Sequence, residues 1–184
     1  DGMGGAAGGN IASALAVKVI SDKINVSYRE QMRDSSIKNM LDSALNAANV
    51  EVFDMAESKQ ELKGMGTTVV CAIVKDGQAY IAHAGDSRAY ILKNGEISQI
   101  TTDHSMVQDL LDRGKITSEQ ALNHPNKNII TRAVGVDENI EIDFDQIDLD
   151  DDTTLLLCTD GLSNYVSNEE ILELTSDGKH YAFA

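Results

Sequence analysis

Three aspartates stand where a carboxylate can be aimed rather than merely solvated. Asp1 opens the run Asp1-Gly2-Met3-Gly4-Gly5, Asp86 sits in Gly85-Asp86-Ser87-Arg88 between two β-prone stretches, and Asp160 closes an apolar run in Thr159-Asp160-Gly161. A carboxylate at a strand's end beside glycine is held rigidly while its oxygens point into a cleft. Oxygen ligands without a Cys/His cluster of zinc spacing select Mg²⁺ or Mn²⁺ over zinc or copper. Each motif alone also has a plainer reading, because Asp-Gly is foremost a turn dipeptide. The acids crowded into Asp148–Asp152 read as a solvated turn. Cys71 and Cys158 lie far apart in apolar runs without basic neighbours. They read as buried, reduced thiols rather than nucleophiles, which fits a reducing compartment.

The elements that position these residues follow from the periodicity. Five glycines in the first nine positions predict a loop able to approach something closely. Ile11, Leu15, Val19 and Ile20 then recur at helical spacing. Ile37, Met40, Leu41, Ala44, Leu45, Ala48 and Val52 form a second helical stripe, so an antiparallel helix pair laid on a sheet is expected. Strands are predicted over 67–75, 78–84, 88–93 and 96–101, with Asp76-Gly77 and Asn94-Gly95 as hairpin turns, and are read as a four-stranded antiparallel meander. Short helices follow over 105–113 and 117–122, with Pro125 beyond. Ile140, Ile142 and Phe144 alternate with acids as a half-buried strand, and 153–158 is a more continuous apolar one. Ser167 and Glu170 form a capping box that opens a last helix over 171–174. The pattern is one α+β domain over 1–184.

Composition narrows the function. The chain of 184 residues is 42 % apolar and 24 % charged, an ordinary globular mix. Its net charge of −15 disfavours nucleic acid and anionic lipid, whose binding needs Lys and Arg. No apolar run reaches the ~18 residues of a membrane span, and a cytoplasmic protein is expected.

The order DGMGGAAGG, GMGTTVVCAIV, AHAGDSRAYIL, TTDHSMV, HPNKNIITRAVG, LLLCTDGLSNYVS resembles the bacterial-type metal-dependent protein serine/threonine phosphatases, the type 2C family. The resemblance covers most of the chain from Asp1 to about Leu174. It implies a β-sandwich of two antiparallel sheets flanked by pairs of antiparallel α-helices. At one end it implies a centre of two Mn²⁺ or Mg²⁺ ions, with a third in bacterial members. Carried over residue by residue, Asp1 bridges the two core ions, Gly2 offers its carbonyl, Asp160 ligates the other core ion, and Asp86 holds the third. Residues 103–130 match a flap beside the substrate cleft, which places Asp103, His104, Ser105 and Asn128 on the substrate side.

The implied reaction is hydrolysis of phosphoserine and phosphothreonine on proteins by a metal-activated water, with no protein nucleophile. The implied partners are phosphoproteins of a serine/threonine kinase, and the implied state is a monomer. Met3 replaces the histidine that animal-type members use as a general acid, and Met cannot donate a proton. The family also carries a strand before Asp1, with a phosphate-binding Arg and an acidic ligand, and a later Asp-Asn motif with a last core-metal aspartate. The chain is read as truncated with respect to both, and residues 177–184 match nothing there. A catalytically silent module that keeps the fold is therefore the alternative. Of the histidines, His83 reads as structural in its strand, His104 as meeting solvent or phosphate, His124 as part of a loop bend, and His180 as without a role.

Overall fold

The protein's structure is a computed structural model and describes residues 1–175. Ser167 and Glu170 exchange the two hydrogen bonds of a capping box at the last described helix, while residues 177–184 and His180 lie outside the described residues. A two-residue strand β1 (Gly2–Met3) leads into α1 (Gly5–Ser27), and α2 (Asp34–Ser58) follows after a short turn. The glycine run is thus helical from Gly5 onward, not a loop throughout. Its close approach is to itself: a Cβ on Gly2 would lie 2.0 Å from the Gly9 carbonyl oxygen. The whole expected α2 stripe, from Ile37 to Val52, is buried. On α1 the buried line is Ala12, Ala16 and Ile20, whereas Ile11 is 39 % exposed. Small side chains four apart let α1 lie close against its neighbour, so the alanines face inward and the larger Ile11 does not.

Beyond a 3₁₀ turn (Gln60–Leu62) come β2 (Gly66–Thr67), β3 (Val69–Lys75), β4 (Gln78–Ala84), β5 (Arg88–Lys93) and β6 (Glu96–Gln99). Both hairpin turns form as expected, with Asp76, Gly77, Asn94 and Gly95 all at positive φ. The four-stranded meander does not. β4 pairs with β3 and with β7 (Asp143–Asp148), while β5 pairs with β6 and with β8 (Thr154–Cys158), so β4 and β5 belong to different sheets. The reason is burial on both faces. Tyr80, Ala82 and Ala84 of β4 pack into the cluster under α1 and α2, and Ala79 and Ile81 pack against Ala89 of β5. On β5, Tyr90 and Leu92 face a third cluster that includes Ile171. One flat sheet would leave Ala79, Ile81 and Ala89 in water, and two stacked sheets bury them.

The order of layers is therefore helix pair, sheet, sheet, helix. Among the described residues the last layer is α6 (Asn168–Thr175) with the short α5 (Asp160–Ser163). The Ile140 and Ile142 alternation precedes β7 rather than forming it, since pairing with β4 starts at Asp143. Between β6 and β7 the chain makes an excursion carrying α3 (Met106–Asp112) and α4 (Ser118–Leu122). Its neck is closed by a bridge between Ser105 and Ile130 and by the Met106 amide donating to the Ile129 carbonyl at 2.9 Å. The acidic turn between β7 and β8 is solvated, as expected, with Asp150 exposed and paired to Lys93. Both cysteines are free but half-buried rather than fully buried. Burial pushes the Cys71 thiol up to about 11.

Candidate metal centre

Asp1 is fixed by the chain that follows β2. Its carbonyl oxygen accepts from the Thr68 amide and from Thr67 Oγ1, each at 2.9 Å, and its nitrogen donates to Thr68 Oγ1 at 3.1 Å. The same Thr68 hydroxyl lies 2.7 Å from Ser87 Oγ, which joins the Asp1 corner to the loop that carries Asp86. Thr67, Thr68 and Ser87 are all buried, so this frame is shielded from competing water. Asp86 sits where the chain crosses from the first sheet to the second. Asp160 begins α5 immediately after β8, and its Oδ2 accepts from Asn164 Nδ2 at 3.0 Å.

These three ends meet. Asp1, Gly2, Asp86, Asp160 and Asn128 line one recess of about 140 Å³. Burial raises the Asp86 carboxyl above its ordinary range, and the charges of Asp160 and Asp103 raise it further. No Lys or Arg lines the recess among the described residues. Like charges gathered in this way repel, and hard divalent cations are the ions whose ligand chemistry matches such an oxygen-only set. The residues fit Mn²⁺ or Mg²⁺.

A second, larger recess of about 250 Å³ shares Asp86 and Asp160 and runs beneath α3 and α4. Asp103 lines it but points into an ion pair, accepting from Arg88 Nε at 2.8 Å and Nη2 at 2.7 Å. Burial works against the Arg88 charge, and the Asp103 hydrogen bond and charge outweigh it, so its pKa is raised. Ser105 also lines this recess, although its hydroxyl is committed to capping α3 through the Gln108 amide.

His104 corrects the sequence expectation. It lines neither recess but is buried, stacked on the still more deeply buried His83 with centroids 4.7 Å apart and rings 11° from parallel. His83 is structural, as expected, with Nε2 3.0 Å from the Thr102 carbonyl. With Asp143 these histidines make the one His/Cys/acid group of metal-binding spacing among the described residues. We exclude it as a metal site. Imidazole lone pairs lie in the ring plane, and two parallel stacked rings cannot both point at one ion. Arg132 also already holds Asp143 at 2.6 Å. Sequence reasoning missed the supporting frame of Thr67, Thr68, Ser87 and Arg132. Only Ser87 and Arg88 carried a signal, from their place in the Gly85-Asp86-Ser87-Arg88 run.

A family model described as protein phosphatase 2C matches residues 1–181. The chain belongs to the protein phosphatase 2C family. It is 42 % identical over 177 residues to the serine/threonine phosphatase stp of Listeria monocytogenes serovar 1/2a, covering 95 % of this chain and 69 % of that protein. The crystal structure of the serine/threonine phosphatase Stp1 from Staphylococcus aureus superposes with a TM-score of 0.91 at 36 % identity, over 98 % of this chain and 70 % of that one. The catalytic domain of the serine/threonine protein phosphatase PstP in complex with two manganese ions gives 0.82 at 35 %, over 96 % and 71 %.

Proposed function

We propose that this protein phosphatase 2C chain hydrolyses phosphoserine and phosphothreonine monoesters on proteins at a centre of two Mn²⁺ or Mg²⁺ ions, with a place for a third. The observation that carries the reading is the convergence of Asp1, Asp86 and Asp160 on one recess in a chain related to named serine/threonine phosphatases. Asp1 and Asp160, with the Gly2 carbonyl, would hold the core ions, and Asp86 with Asp160 the third. Bound there, the ions would supply what a phosphomonoester demands: neutralised charge on its oxygens and an acidified water as nucleophile.

The protein's own part is orientation. The Thr67–Thr68 frame fixes Asp1, Asn164 steadies Asp160, and the larger recess beside them receives the substrate. Residues 1–184 act as one catalytic domain, with 103–130 as a flap over that recess. Phosphoproteins of a serine/threonine kinase are the substrates, the chain works as a monomer, and its free thiols suit the cytoplasm. A silent binding module finds no support, since the chain's relatives are named serine/threonine phosphatases and three aspartates line one recess that holds no Lys or Arg.

The test is hydrolysis of an aryl phosphate and of a phosphothreonine peptide, by the chain as it stands and by one extended to the length of its relatives. Turnover that needs Mn²⁺ and stops with a chelator is the expected result. Extended protein that binds no Mn²⁺ and hydrolyses neither substrate would overturn the proposal.

A further inference from the structure

We propose that His104 is a positioning residue for Asp86, acting through the Gly85 peptide; the inference rests on the reading of Asp86 as a metal ligand. Gly85 is where the chain leaves the first sheet, at φ +110, and a Cβ there would lie 2.6 Å from Thr68 Cγ2. Only glycine suits that place, and glycine is also the residue with the least intrinsic preference for one conformation. The carboxylate that follows is therefore aimed by whatever grips Gly85 from outside.

His104 grips it twice. The His104 amide donates to the Gly85 carbonyl at 3.0 Å, which fixes the plane of the peptide leading into Asp86. The Gly85 amide donates to His104 Nδ1, also at 3.0 Å and buried, which fixes the plane before it. Accepting at Nδ1 leaves the ring proton on Nε2, which lies 3.3 Å from Asp143 Oδ2 and 2.9 Å from Arg132 Nη1, so Asp143 and Arg132 together bound the far edge of the ring. Asp143 in turn accepts from Arg132 Nη1 at 2.6 Å, and His83 stacks on the ring to hold its plane. A continuous path of Arg132, Asp143, His104 and Gly85 thus ends at Asp86. Such outer partners of metal ligands commonly govern metal affinity as strongly as 10–100-fold.

Asn and Leu test this, because they share a shape while only Asn places an acceptor on Cγ, as His does. The measurement is Mn²⁺ binding to the full-length protein, followed by electron paramagnetic resonance of the free ion, beside melting temperature and aryl phosphate turnover. The expected result is that His104→Leu weakens the Asp86-dependent Mn²⁺ by roughly 10–100-fold and that His104→Asn restores most of it. In an Asp86→Asn background, His104→Leu should change Mn²⁺ binding no further. Leu and Asn variants with the same isotherm would overturn the proposal, whatever their melting temperatures. Should the Leu variant not fold, His104→Ala makes the same comparison, since it too lacks the acceptor. If Asp86→Asn alone leaves Mn²⁺ binding unchanged, the assignment of Asp86 as a ligand has failed. If Asp86→Asn weakens binding but the His104 variants do not, only the positioning role has failed.

Discussion

Asp1 and Asp160, from the two ends of the described chain, line the same recess as Asp86. Three different elements are needed to bring them there. β1 pairs with β2 so that Thr67 and Thr68 catch Asp1, the crossover between sheets delivers Asp86, and β8 runs beside β5 to deliver Asp160. Carboxylates within ~4 Å of one another repel by about 1 kcal/mol in water and several-fold more near a protein surface. The fold meets that cost at one point, where a divalent cation would offset it.

Arg88→Ala should lower stability by about 2–3 kcal/mol in chemical denaturation, since it leaves Asp103 partly buried and without its two-pronged partner. Arg88→Lys should recover less than half of the loss, because an ammonium cannot reproduce the fork. A Lys variant as stable as the parent would show that the pair acts only as a point charge.

Residues 114–128 should exchange their amide hydrogens far faster than β4 and β5. Past Val107, none of the residues up to Ile130 is buried, and α4 buries none of its own. With so little apolar area committed, local opening needs only a small fraction of the global unfolding free energy. Protection there equal to that of Ile81 and Tyr90 would contradict this.

How legible this was depends on the residue. The turns at Asp76-Gly77 and Asn94-Gly95 were readable because positive φ at two adjacent positions demands those residue types. The α2 stripe was readable because its period is helical and its apolar residues recur without a break over more than four turns. The change of sheet at Gly85 was not, since a strand buried on both faces looks the same in a meander as in a sandwich. The proposed ligand set was suggested only by the order of motifs, as each Asp-Gly pair alone is a turn. His104 was misplaced because a polar residue in a polar run reads as exposed, whereas its fate was set by His83, Gly85 and Arg132. No local pattern announces such distant partners.

In the presence of a chelator, His104 and Asp143 should each lower stability by a step as pH falls, against an opposing gain from the raised Asp86 carboxyl. Burial holds the His104 pKa below its ordinary 6.5, more than Asp143 raises it. The unfolded chain therefore takes up that proton first, and stability is full above about pH 6.5 and declines below it until the folded pKa is passed. Burial raises the Asp143 carboxyl, but Arg132 and His104 outweigh this and hold it below 3.8. Its contribution is present above pH 3.8 and is lost as pH falls through the depressed folded value. Urea denaturation across pH 3 to 8 reads both steps. His104→Gln should remove the upper one and leave the lower, and an upper step unchanged in that variant would assign it to another group.

Asp160→Asn should separate function from folding. The side chain keeps its shape and can still hydrogen-bond with Asn164, so the start of α5 is preserved. What disappears is one negative charge beside Asp86, whose carboxyl is raised partly by that charge. Without metal, the variant should be as stable as the parent or more so, by about 0–1 kcal/mol. With Mn²⁺ the order should reverse, because the parent gains binding free energy that the variant has largely lost. Mn²⁺-dependent turnover of an aryl phosphate should fall roughly 100-fold or more, as several kcal/mol of charge stabilisation is removed. Melting curves with and without Mn²⁺ test the reversal independently of turnover. A variant that melts like the parent in both conditions and keeps its turnover would make Asp160 no more than the end of a strand.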